Sequence, residues 1–182
     1  NNTVNENSPL QPNTEYAKTR LEAQKFLESN CKERSIDFSV AHLGDVYGNG
    51  GWFKSIMVDR LKKGNFKLPG SGEYYRSFVH VDDVVSALVA IAEKNAVNQS
   101  FVVTDSNPVV FKEYVNFVCD ELGVGHPGNV PSFLAKAVMG GDFVKLLTTS
   151  VKTSNTKIAK LCEFMYPSYK EGVRSVIAEM KS

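Results

Sequence analysis

Apolar residues recur at helical spacing through Phe111, Tyr114, Val115, Val118 and Leu122, and Gly123 ends the series. The pattern predicts a helix over 111–122 with one buried face. A second helix fits 15–29, with Ala23, Phe26 and Leu27 on one side and Thr14 as its N-cap. A third fits 52–63, with Phe53, Ile56, Met57 and Leu61 in register and Lys63-Gly64 as its stop. The stretch 83–94 is apolar nearly all round, so it predicts a buried helix capped by Asp82 or Asp83. Shorter helices fit 131–139, 142–149 and 155–162. A last one fits 169–180, with Val173, Val176, Ile177 and Met180 together. Alternation of period two marks strands at Ile36–Val40 and Arg76–Val81, and a short strand and turn run from Phe66 to Gly72. The continuous run Phe101–Val103 suits an interior strand covered on both faces. Residues 1–14 carry Pro9 and Pro12 and read as an extended lead-in; 44–51 and 126–131 are glycine-rich loops. Helix and strand alternate three times before the chain turns mostly helical, which is the order of an α/β protein.

Composition adds limits. A chain of 182 residues with 42% hydrophobic and 23% charged content is one domain's worth of globular protein. Disorder is excluded, because that apolar content is enough to offset chain entropy. Twenty-one basic and 20 acidic residues leave a net charge of +1, so nothing implies nucleic acid or an anionic membrane as partner. No apolar run approaches the roughly 20 residues of a membrane span, and the polar start has no signal-peptide character. Cys31, Cys119 and Cys162 have no paired spacing. They read as small apolar residues of a reducing compartment, and the expected location is cytoplasmic.

Generic catalytic patterns are missing. His42, His80 and His126 are scattered, with no metal-ligand spacing, so no metal is expected. The sequence holds no GxSxG, no P-loop and no GxGxxG. Gly48-Asn49-Gly50-Gly51 lacks the third glycine that a dinucleotide turn needs.

A series of segments in order carries more. Glu6-Asn7-Ser8-Pro9 precedes Tyr16-Ala17-Lys18-Thr19-Arg20. His42-Leu43-Gly44-Asp45-Val46-Tyr47-Gly48 follows, then Arg76-Ser77-Phe78-Val79-His80-Val81-Asp82-Asp83. Ser154-Asn155-Thr156-Lys157 and Tyr166-Pro167 close the series. Over essentially its whole length the chain resembles the extended short-chain dehydrogenase/reductases, the NAD(P)-dependent epimerase/dehydratase family. The resemblance implies the C-terminal half of such a protein. The expected fold is α/β: an incomplete Rossmann-type parallel sheet with flanking helices, plus a small, mostly helical substrate lobe. In this division 1–43 and 81–104 belong to the nucleotide-binding core and 44–80 and 105–182 to the substrate lobe, all within a single unit. The glycine turn, the acidic ribose contact and the catalytic Ser/Thr of the family have no counterpart in these residues.

The resemblance assigns Tyr16 as the catalytic tyrosine and places Arg20 where the family carries lysine. A phenol titrates near pH ~10, and a cation one helical turn away favours its ionised form. Positions i and i+4 share a helix face, so Arg20 keeps the charge with a larger, differently donating head. Tyr16, Arg20, Gly44 and Val46 are the implied contacts to NAD or NADP. Arg76 is the implied contact to a substrate diphosphate, since a guanidinium grips phosphate through paired donors. Read without the resemblance, Tyr16 is a half-buried aromatic and Arg20 and Arg76 are surface charges. Asp82 and Asp83 read as helix caps. The apolar residues Phe133, Leu134, Val138 and Phe143 leave the substrate open between a sugar nucleotide and an apolar alcohol or ketone. Without the glycine turn the chain is expected to bind cofactor weakly and to be inactive alone. Its exposed sheet edge points to a homodimer, or to pairing with the N-terminal half. The other reading is a binding or interaction module, derived from this family, that catalyses nothing.

Overall fold

The computed structural model describes residues 3–181; the first two residues of the lead-in and Ser182 lie outside the described residues. Helix α1 runs Glu15–Glu33, and Thr14 caps it by accepting the Ala17 N–H at 3.1 Å. The helix outruns its expected end because its last turn takes up the following residues. Ile36 N–H bonds back to Cys31 O, with Ser35 in the left-handed region at φ 53°. Strand β1 therefore starts at Ser39 rather than Ile36 and runs to Leu43.

β1 pairs in parallel with β6 (Gln99–Val103), in the register Ser39↔Gln99 to Leu43↔Val103. A parallel pair needs a crossover, and helix α3 (Val81–Glu93) lies within it. Inside the expected glycine-rich loop sits a further strand, β2 (Asp45–Tyr47). It pairs in parallel with β5 (Phe78–His80). Two smaller pairs complete the set: β3 (Leu68–Pro69) with β8 (Asn129–Val130), parallel, and β4 (Tyr75–Arg76) with β7 (Val109–Val110), antiparallel. This is the expected α/β class, with parallel strand pairs and flanking helices.

Two helices depart from their expected faces. Phe53–Val58 is a π-helical turn leading into α2 (Asp59–Lys62). The wider turn shifts the buried face by one position: Val58 is buried and Ile56 is not. α3 is not buried all round, since Val85, Leu88 and Val89 lie exposed on one side. Its cap is neither aspartate but His80, whose Nδ1 accepts the Asp82 N–H at 3.2 Å. Burial lowers the His80 pKa, and the neutral ring is the form that can accept this bond. Helix α4 (Phe111–Leu122) has the bounds its periodicity predicts, and Gly123 closes it at φ 70°. Then come α5 (Ser132–Met139), α6 (Gly141–Thr148), a 3-10 turn at Ile158–Lys160 and α7 (Tyr169–Glu179).

The core has two parts. One gathers the rings of Tyr47, Phe53, Phe78, Tyr114 and Tyr169 with α4 and α7. Within it Phe78 and Tyr114 stack at 3.7 Å between centroids. The other joins Val79, Val84, Ala87, Phe101, Val103 and Ile158 beneath α3. By contrast α1 buries none of its residues, and Phe26 and Leu27 are 68% and 60% exposed.

Side chains close the outer edge of β6. Glu6, from the lead-in, accepts the Val102 N–H at 2.8 Å, and Lys157 donates to Ser100 O at 2.8 Å. β6 is thus bordered by one strand and two side chains, not by strands on both sides as an interior strand would be. Beyond β6, no strand among the described residues pairs with β1.

Candidate functional site

In open parallel sheets, ligands sit beyond the carboxyl ends of the strands. β1 ends at Leu43 and β6 at Val103, and there Gly44 N–H bonds to Val103 O at 3.0 Å. A cleft of about 230 Å³ opens at this end, lined by Gly44, Asp45, Arg76, Ser77, Leu146 and Thr153 among others. A wider groove of about 500 Å³ lies at the opposite end, against Cys31, Ile36 and Gln99. It touches none of Tyr16, Arg20, Gly44, Val46 and Arg76. The smaller cleft is the candidate site.

Gly44 is a glycine for a packing reason. A Cβ there would stand 2.5 Å from Ser77 O and 2.6 Å from Thr104 Cγ2. Arg76 is held rather than free. Its Nε and Nη2 donate to the two carboxylate oxygens of Asp45, each at 2.6 Å, and its Nη1 donates to Leu146 O at 3.0 Å and Leu147 O at 3.2 Å. These two carbonyls lie near the C-terminal end of α6, so the pair also ties α6 to the floor of the cleft. Val46 stands behind the cleft. Its side chain packs with the core under α3, and its carbonyl accepts the Trp52 indole N–H at 2.6 Å.

Tyr16 sits in the first turn of α1, 59% exposed, and Arg20 is exposed one turn further on. Two contacts bring this end of α1 to the cleft. Glu15 N–H donates to Asp142 of α6 at 3.0 Å, and Asn13, which lines the cleft, donates to Thr149 at 3.3 Å. The structure thus gathers Gly44 and Arg76 in one cleft and anchors the start of the Tyr16 helix at its rim. Among the described residues no group of three or more His, Cys, Asp or Glu side chains is placed to hold a metal.

Sequence reasoning missed what two buried aspartates do. Asp83, expected as a cap, instead accepts the backbone N–H groups of Met165 and Tyr166 at 2.7 and 3.1 Å. Asp105, just past β6, is 1% exposed, and its Oδ2 has no hydrogen-bond partner among the described residues. Burial pushes its carboxyl up to about 7, against the pull of the Asn107 and Tyr169 N–H groups. A folded-state value above the ordinary ~3.9 means the folded protein holds a proton that the unfolded chain releases. Stability therefore falls as pH rises from about 4 to about 7. Asp105→Asn removes this penalty. Its gain in stability over the wild type is expected to grow across that window, to roughly 2–4 kcal/mol at pH ~8. Thermal unfolding of both proteins at several pH values measures it; a pH-independent difference would contradict the assignment.

Residues 1–104 match the model of the NAD dependent epimerase/dehydratase family, and the chain belongs to that family. A 3-diazoavenalumate denitrifying reductase of Streptomyces sp is 28% identical over 177 residues, covering 93% of this chain and 58% of that protein. Among solved structures, the dTDP-glucose 4,6-dehydratase of Bacillus anthracis, in complex with NAD, superposes with a TM-score of 0.80 at 20% identity. It covers 100% of this chain and 56% of its own. A UDP-glucose 4-epimerase of Thermotoga maritima, with UDP-glucose, gives 0.72 at 22% identity and covers 97% and 59%. These two likenesses carry the fold, and the chain spans a little over half the length of each of the three proteins. No helix among the described residues is long and apolar enough to cross a membrane.

Proposed function

We propose that this chain carries the proton-transfer helix and the substrate cleft of an NAD(P)-dependent oxidoreductase or epimerase/dehydratase. The observation that supports this most is the anchoring of the start of α1 at the cleft by Glu15–Asp142 and Asn13–Thr149. Tyr16 follows directly and exchanges a proton with a substrate hydroxyl or carbonyl as hydride moves. Arg20, on the same face, supplies the cation that favours the phenolate. A nicotinamide cofactor, NAD or NADP, supplies the hydride chemistry when bound. Gly44, whose crowded backbone forms the cleft floor, and Val46 are the residues assigned to its nicotinamide side. The proposed division sets a core of 1–43 and 81–104 apart from a lobe of 44–80 and 105–182; one apolar cluster lies within the lobe ranges, and the other draws on both, with Val79 and Ile158 beside Val84 and Phe101.

A pyrophosphate is ordinarily held by a glycine turn at a helix N-terminus, and no such motif occurs in these residues. Calorimetric titration of the 182-residue chain with NAD(H) and NADP(H) is expected to show weak binding or none. A Kd in the low micromolar range, about −8 kcal/mol, would contradict the division of labour proposed here.

The unpaired edge of β1 and the exposed Phe26 and Leu27 on α1 favour association, either with a second copy or with the half that holds the glycine turn. Light scattering after size exclusion is expected to give a dimer for the chain alone. A monomer at every concentration up to tens of micromolar would count against the homodimer.

A further inference from the structure

The proposed function leaves the substrate open between sugar nucleotides and apolar alcohols or ketones. The Arg76–Asp45 pair decides between them, if the cleft is the substrate site read above. Arg76 and Asp45 are the charged residues lining the cleft. The guanidinium has five N–H donors. Four are engaged: two on the Asp45 carboxylate and two on the carbonyls of Leu146 and Leu147. The Arg76 side chain is 18% exposed and that of Asp45 27%. A diphosphate entering here would meet a cation already neutralised, and a carboxylate that repels it. To take the guanidinium it would have to displace a paired, short, charge-assisted contact and release α6 from the cleft floor.

We infer that Asp45 closes this cleft to phosphorylated ligands and that the substrate is an uncharged small molecule with no diphosphate. The rest of the lining agrees. Leu43, Leu146 and Val151 supply apolar wall, and Ser77, Thr149 and Thr153 supply hydroxyls.

The test is binding by the 182-residue chain, without cofactor, using inorganic pyrophosphate and UDP-glucose as probes. The wild type is expected to bind both more weakly than about 1 mM. Asp45→Asn keeps the shape, removes the negative charge and frees the guanidinium. It is expected to bind both at least about tenfold more tightly, with an affinity that falls as salt rises. Wild-type binding at or below about 100 μM would overturn the inference, and so would a folded Asp45→Asn protein with no gain. If that variant does not fold, the Arg76 Nε–H resonance of the wild type is read instead: unmoved by pyrophosphate supports the inference, a saturable shift overturns it. The underlying reading of the site fails on a different result, unchanged turnover after Tyr16→Phe.

Discussion

Gly172→Ala is expected to destabilise the protein by roughly 2–4 kcal/mol, although it places the better helix former inside a helix. Propensity alone predicts a gain of about 0.5–1 kcal/mol. Packing reverses the sign. Gly172 is a buried residue of α7, and a Cβ there would overlap the Tyr47 hydroxyl, with Tyr47 Cζ at 2.9 Å and Cε2 at 3.1 Å. Tyr47 cannot swing away. It is 2% exposed, and its ring is hemmed in by Phe53, Phe78, His80 and Tyr114 at centroid distances of 5.7, 6.4, 5.3 and 6.2 Å. The Tyr47 hydroxyl is buried with no hydrogen-bond partner among the described residues, so Tyr47→Phe alone is expected to cost little. The double variant should recover part of the loss and not all of it, because the ring carbons remain close. A double-mutant cycle by denaturant unfolding reads this coupling. A Gly172→Ala protein as stable as the wild type would mean that the α7–Tyr47 packing is wrong.

What the sequence disclosed follows from how local each signal was. α4 was legible in both bounds because five apolar positions and a C-terminal glycine all belong to one helix. Thr14 was legible as a cap because an N-cap bonds within its own first turn. β2 was hidden, since three residues between glycines carry no period and their partner β5 lies some thirty residues away. His80 was misjudged beside Asp82 and Asp83 because composition favours aspartate as a cap. Burial keeps His80 neutral and able to accept, and it draws Asp83 toward the backbone of 165–166 instead.

The candidate site divides in the same way. Tyr16, Arg20 and Arg76 were reached by motif order; that Arg76 lines the cleft and that the start of α1 is tied to its rim could not be read from spacing. The pairing of Arg76 with Asp45 joins residues 31 positions apart and depends on strand ends that propensity does not fix. The exposed side of α3, with Val85, Leu88 and Val89, looked like core because apolar character records what a face can bury and not what covers it.

The role proposed for Tyr16 is to move the proton. Hydride transfer in the whole gene product, followed by nicotinamide absorbance in a single turnover, tests it most directly. Tyr16→Phe keeps the ring and removes the acidic oxygen, and loss of a positioned proton donor ordinarily costs about 10²–10⁴-fold in rate. The variant is expected to lose turnover by that factor at saturating cofactor. Arg20→Lys should raise turnover and shift its pH optimum, since a compact ammonium replaces the broader guanidinium at the same distance along α1. Turnover by Tyr16→Phe equal to that of the wild type at saturating cofactor would contradict the account.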